Sequence, residues 1–206
     1  MQSLLLVTRE FYFMMKLGKW KISLYEPFPK NIAKNYKDKG YQPYQPTYYW
    51  IFYKAIKDLK LLKCNPYTSS ILDIGAGKGK VMRLAAQSGF KKVIGIEIEK
   101  KFYNEAVRCV NLLRNEYPDK EFLLLNSNAI DYFPIEKIDV VYLFNPFAKT
   151  ALDQILRNFA FVNLKPRFLV YLNPVAGDVV ESLGYYPKIT HKTKLYIEYT
   201  IFENCD

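Results

Sequence analysis

Ser70-Ile71-Leu72-Asp73-Ile74-Gly75-Ala76-Gly77-Lys78-Gly79-Lys80 is the stretch that decides the fold of this chain. An apolar run meets an acid, three glycines follow at alternate positions, and a helical pattern begins at Val81. Glycine permits positive φ in a sharp strand-to-helix turn, and its missing Cβ lets a ligand approach the backbone. The segment therefore predicts a β-strand that ends in a ligand-binding turn.

On either side of this segment, strand-like and helix-like patterns alternate with short connections. Strands are predicted over 70–74, 92–97, 121–126, 138–144 and 167–172, and helices over 47–62, 79–88, 100–116 and 149–162, with a short one near 178–183. Such alternation gives a parallel sheet covered by helices on both faces. The final β-rich stretch, 188–202, breaks the rhythm. Its alternating Leu195, Ile197, Tyr199 and Ile201 predict a strand with one exposed face, in a closing antiparallel strand or hairpin.

The 206 residues suffice for one well-filled α/β core. We divide them into an extension over 1–45, basic and aromatic with several prolines, and a ligand-binding domain over 46–206. Half the residues are hydrophobic, which excludes a mostly disordered chain. Apolar runs such as Leu4 to Val7 fall far short of the ~20 residues of a membrane span and of a signal-peptide core. Cys64, Cys109 and Cys205 are odd in number and lack CxxC spacing, so neither structural disulfides nor a metal site is expected, and a reducing cytoplasm suits the chain. Charge is uneven. Residues 1 to 63 hold twelve Lys and Arg against Glu10, Glu26, Asp38 and Asp58, which accounts for most of the net +10. A basic segment beside a near-neutral core attracts polyanions, although a solvated surface explains the same run. Tyr41, Tyr44, Tyr48 and Tyr49 among those lysines suit either base stacking or core packing.

Parallel sheets bind ligands at the carboxyl ends of their strands, where the glycine turn lies. A dinucleotide fold needs GxGxxG and a P-loop needs GxxxxGK followed by Ser or Thr. Here the pattern is GxGxG with Asp73 ahead of it, and Lys80 precedes Val81. An acid at that place repels a pyrophosphate and suits a ligand that carries an ammonium group.

Asp-x-Gly-x-Gly-x-Gly after the first strand resembles motif I of class I S-adenosylmethionine-dependent methyltransferases. Glu97 closes the next strand in Val93-Ile94-Gly95-Ile96-Glu97; Asn126-Ser127-Asn128-Ala129 follows the third; the fourth ends Leu143-Phe144-Asn145-Pro146-Phe147. The resemblance implies a Rossmann-like α/β fold with a mostly parallel seven-stranded sheet and a terminal antiparallel strand. It implies S-adenosylmethionine as cofactor, held by Asp73, Gly75, Ala76, Gly77, Gly79, Glu97, Asn128, Ala129 and Asn145. Glu97 would take both ribose hydroxyls, since two carboxylate oxygens match two vicinal donors, and Asn128 would accept from the adenine amino group. Asn145, Pro146 and Phe147 would face the transferred methyl. The stretch from Tyr44 to Pro174 is also similar to a bacterial branch reading Tyr-x-Pro-Thr, Gly-x-Gly-Lys-Gly and Asn-Pro-Phe, related to protein lysine methyltransferases. The expected activity is N-methylation of a macromolecule, with protein lysine slightly ahead of RNA or DNA, and a non-catalytic cofactor-binding module as the other class. Lys78 and Lys80 could meet an anionic group or water, His191 is expected to be structural, and Asn173-Pro174 to start a turn.

Overall fold

A computed structural model of the chain describes residues 47–144, 148–192 and 198–205. The extension over 1–45, the Asn145-Pro146-Phe147 strand end, and Leu195 and Ile197 lie outside the described residues. In chain order the elements are α1 (Tyr49–Leu61), β1 (Ser70–Ile74), α2 (Lys80–Gln87), β2 (Lys92–Ile96), α3 (Lys100–Glu116), β3 (Glu121–Leu125), β4 (Val140–Phe144), α4 (Lys149–Phe161), β5 (Phe168–Leu172), α5 (Gly177–Ser182), β6 (Tyr185–Lys192) and β7 (Glu198–Asn204). Most predicted bounds fall within a residue or two of these; the fourth strand begins at Val140, after the buried Ile138.

The strands form one sheet in the order β3-β2-β1-β4-β5-β7-β6, parallel from β3 to β5 and antiparallel where β7 joins β5 and β6 joins β7. This is the Rossmann-like arrangement, with its order reversing between β1 and β4. Side chains alternate across the sheet with period two. On one face Ile71, Val93, Val140, Tyr142, Phe168 and Val170 meet α1, α2 and α3. Leu72, Ile94, Val141, Leu143, Leu169 and Tyr171 meet α4 and α5 on the other. Because both faces are covered, the central strands read as unbroken apolar runs. Within β1 and β4, Asp73 and Tyr142 are register partners and share the α1 face.

One expectation is corrected. The strand carrying Tyr199 and Ile201 does not have an exposed face, because β7 is inserted between β5 and β6 and Tyr199, Thr200, Ile201 and Phe202 are all buried. The exposed strand is its hairpin partner β6, which takes the sheet edge and carries Pro187 there, where a missing N–H costs the sheet least.

Candidate active site

The glycine turn leaves β1 with positive φ at Gly75 (84°), Gly77 (55°) and Gly79 (83°). Such angles are strained for residues with a Cβ. Gly75 and Ala76 both donate their N–H groups to Ile96 O, each at 2.9 Å, so the turn is fastened to the carboxyl end of β2. Gly79 donates to Ala76 O and is the residue from which α2 starts. A Cβ on Gly79 would lie 3.3 Å from Cys109 Cβ of α3, so helix packing as well as φ demands glycine here. Lys78 turns away to Glu105 at 3.0 Å, and the Lys80 ammonium sits 3.9 Å from the centroid of the Tyr49 ring, which ties α2 to α1.

Two acids flank this turn, and their surroundings differ. Glu97, buried just beyond β2, accepts from Gly77 N–H at 2.7 Å and from Glu99 N–H at 2.8 Å. Each carboxylate oxygen so engaged keeps lone-pair capacity for another donor. Burial pushes its carboxyl above the usual carboxylate range, while the backbone donors pull it back. Asp73 is also buried, and its Oδ2 has no hydrogen-bond partner among the described residues. Burial, with Glu97 nearby, pushes its carboxyl up to about 8. Leaving a buried polar atom unpartnered costs roughly 1–3 kcal/mol, so Asp73 is poised to receive a cation or a donor.

The neighbouring strand ends complete the edge. Asn126, absent from the sequence-based site, donates its amide to Glu97 O at 2.8 Å and Ile98 O at 3.2 Å, and so holds the loop that carries Glu97. Asn128 Oδ1 accepts from Ile130 N–H and caps a short 3-10 turn that contains the buried Ala129. Its amide oxygen thus serves the turn, with one lone pair to spare. On the α1 side, the buried Tyr142 hydroxyl donates to Thr47 Oγ1 at 3.3 Å, so the chain entering α1 is moored beside the register partner of Asp73. Tyr142 was missed too; its one signal is a phenol in the otherwise aliphatic start of Val140-Val141-Tyr142-Leu143. His191 lies on β6 against the Tyr199 ring, and Asn173, with φ of 50°, makes the turn after β5.

These residues form one cradle at the carboxyl edge of β1 and β2: a turn with little side-chain bulk, a buried carboxyl whose Oδ2 has no partner among the described residues, and a carboxylate locked by backbone donors. The donor set fits S-adenosylmethionine, whose ammonium suits Asp73 Oδ2 and whose vicinal ribose hydroxyls suit Glu97. A family profile described as "Methyltransferase domain" matches residues 71–166. No curated protein sequence matches the chain significantly. Among solved structures, it resembles PH1948 of Pyrococcus horikoshii, described as a candidate RNA methyltransferase, with TM-score 0.65 and 18% identity over 95% of this chain and 96% of that one. It also resembles magnesium protoporphyrin IX methyltransferase of Synechocystis PCC 6803 with bound S-adenosylmethionine, with TM-score 0.60 and 16% identity over 96% and 94% of the two chains. A third is Sp1610 of Streptococcus pneumoniae, described as a candidate tRNA (m1A22) methyltransferase, with TM-score 0.53 and 15% identity over 72% and 69%. At these identities the likeness is one of fold.

Proposed function

Since residues 71–166 are a methyltransferase domain of the class I S-adenosylmethionine-dependent kind, we propose that this chain methylates nitrogen of a macromolecule. The observation that carries the cofactor assignment is the partnerless, buried Asp73 Oδ2 beside the Gly75–Gly79 turn, with Glu97 across from it. In this reading Asp73 takes the ammonium, the turn accommodates the methionyl portion against bare backbone, and Glu97 takes both ribose hydroxyls. Asn128 and Ala129 border the adenine. When bound, S-adenosylmethionine supplies a methyl on a sulfonium and leaves as a thioether. The chain's own task is to align donor and acceptor, and alignment alone supplies ~7–11 kcal/mol of the barrier. Asn145, with Pro146 and Phe147, is proposed to meet the acceptor: an amide carbonyl accepts from the attacking amine and stabilises the charge developing on nitrogen.

The acceptor amine is a protein lysine in the reading that follows the Asn-Pro-Phe branch, and a nucleic-acid base in the reading that follows the basic surface of α1. Residues 1–45 are proposed as an extension that closes over or docks beside the domain of 46–206. Among the described residues no helix is long and apolar enough to cross a membrane, and all three cysteines are free, which suits the cytoplasmic setting proposed here.

Incubating the protein with methyl-labelled cofactor and cell lysate tests transfer. Label is expected on a macromolecule and should be lost in Asp73→Ala and Glu97→Ala; sensitivity to protease or to nuclease identifies the acceptor. Calorimetric cofactor binding with no labelled acceptor in any fraction overturns the transfer reading in favour of a binding module. Undiminished binding in both variants overturns the site assignment.

A further inference from the structure

The solvent side of α1 is basic from Lys54 to its C-terminal end. Lys54, Lys57 and Lys60 recur every third residue, and Lys63 follows just past the helix end. The one acid of the helix, Asp58, is buried, accepts from the Tyr199 hydroxyl and meets Lys54 at 3.6 Å. Lys57, Lys60 and Lys63 are exposed, and no carboxylate pairs with them among the described residues. At 1.5 Å of rise per residue the ammonium groups stand roughly 4.5 Å apart along the axis. Like charges so placed destabilise a helix. Many cations elsewhere on the described surface are paired instead: Arg83 with Glu116, Lys149 with Asp178, Arg157 with Asp153.

The basic strip has a definite position. The helix itself begins next to Thr47, which is moored to Tyr142, and the strip occupies its second half from Lys54 onward. Its far end is held by Arg167, which donates to Leu62 O at 3.3 Å from just ahead of β5. Arg167 and Lys188 continue the strip and share a single carboxylate, Glu203. In sequence the same character runs back from α1, since residues 1–46 carry Arg9 and seven lysines against Glu10, Glu26 and Asp38. Lysine is depleted in the cores of protein interfaces, which rest on aromatic and Arg anchors. As a point charge it serves phosphate well.

We propose that the solvent face of α1 is the docking surface for the phosphate backbone of a nucleic-acid strand, leading it toward the cofactor edge of the sheet. The proposal rests on the transferase reading above and names its acceptor class. Fluorescence anisotropy with a short, labelled, mixed-sequence single-stranded RNA, titrated over a range of potassium chloride, tests it. The native chain should bind with a steep salt dependence. The variant Lys57→Gln/Lys60→Gln/Lys63→Gln should lower the log–log slope by ~2, given about 0.7 per phosphate contact on a single strand. All three side chains are exposed, so thermal melting should hold or rise slightly as their mutual repulsion is relieved and calorimetric affinity for S-adenosylmethionine should not change, which separates failure of docking from failure of the transferase reading. Absent RNA binding at low salt, or a slope unchanged in the variant, overturns the proposal. Displacement of the RNA by polyglutamate at equal charge concentration overturns it too, and assigns the face to an acidic polypeptide.

Discussion

At the scale of single residues, the protonation of Asp73 couples stability to pH and, in the proposed site, couples ligand affinity to pH as well. An unfolded-chain aspartate titrates near 3.9, whereas burial and Glu97 push this one up to about 8. Between those values the free native protein holds a proton that the unfolded chain has released, so stability falls as pH rises through the window. A cation brought against Oδ2 reverses the preference and expels the proton. Affinity for S-adenosylmethionine should therefore climb with pH up to about 8, above which the ligand's own α-ammonium gives up its proton. Calorimetry at pH 7 in buffers of different ionisation enthalpy should show proton release. Asp73→Asn should abolish that pH dependence, weaken binding by on the order of tenfold or more, as loss of a charge-assisted hydrogen bond of about 1.5–3 kcal/mol implies, and raise the melting temperature of the free protein above pH 8. Affinity that is flat with pH in the native chain would refute the assignment of Asp73. Asp73 and Glu97 are legible in sequence because each closes an apolar run next to glycines or at a strand end. Asn126 and Tyr142 are not, because their roles exist only through partners at Glu97, Ile98 and Thr47, brought together by the sheet.

At the scale of elements, β2 serves the glycine turn as its support, and Gly95 is the point of contact. A Cβ there would come within 2.6 Å of Met82 Sδ, 3.0 Å of Ala76 Cβ and 3.1 Å of Leu124 Cδ1. The Met82 tip can swing aside, but Ala76 is pinned to Ile96 O by its own N–H. Gly95→Ala therefore overpacks a site with no slack, at about 1–3 kcal/mol, and displaces the turn itself. Thermal denaturation should register the first effect, as roughly 2–4 °C per kcal/mol for a chain of this size. Calorimetry should register the second as cofactor affinity reduced at temperatures where the variant is fully folded. A lower melting temperature with native affinity would show that the strain relaxes away from Ala76. The parallel elements are legible because strands buried on both faces and helices with one buried face leave distinct apolar patterns. The place of the terminal hairpin is not: alternation marks a strand, but only pairing with β5 decides that β7 is interior and β6 the edge.

At the scale of the whole molecule, α1 is closed onto the sheet by two buried hydroxyl contacts that span most of the described chain. Tyr142 reaches Thr47 from β4, and Tyr199 of β7 donates to Asp58. The first moors the cofactor end of the helix. The second lies further along it, where the flanking Lys54 ammonium at 3.6 Å also meets Asp58. Apolar packing of Tyr49, Phe52, Ala55 and Leu59 supplies the adhesion, and the hydroxyl contacts add two fixed points along the helix axis. Tyr199→Phe keeps the ring and removes the donor, leaving a buried carboxylate short of one hydrogen bond. A hydrogen bond to a charged group is worth about 1.5–3 kcal/mol, so the variant should melt roughly 3–12 °C lower. Adding Asp58→Asn to it should recover part of the loss, since an amide is less costly to bury than a carboxylate. If α1 is held by apolar packing alone, Tyr199→Phe will melt with the native chain and Asp58→Asn will add nothing. A double-mutant cycle between the two positions, read by thermal melting, distinguishes these outcomes, and a coupling energy near zero excludes the tether.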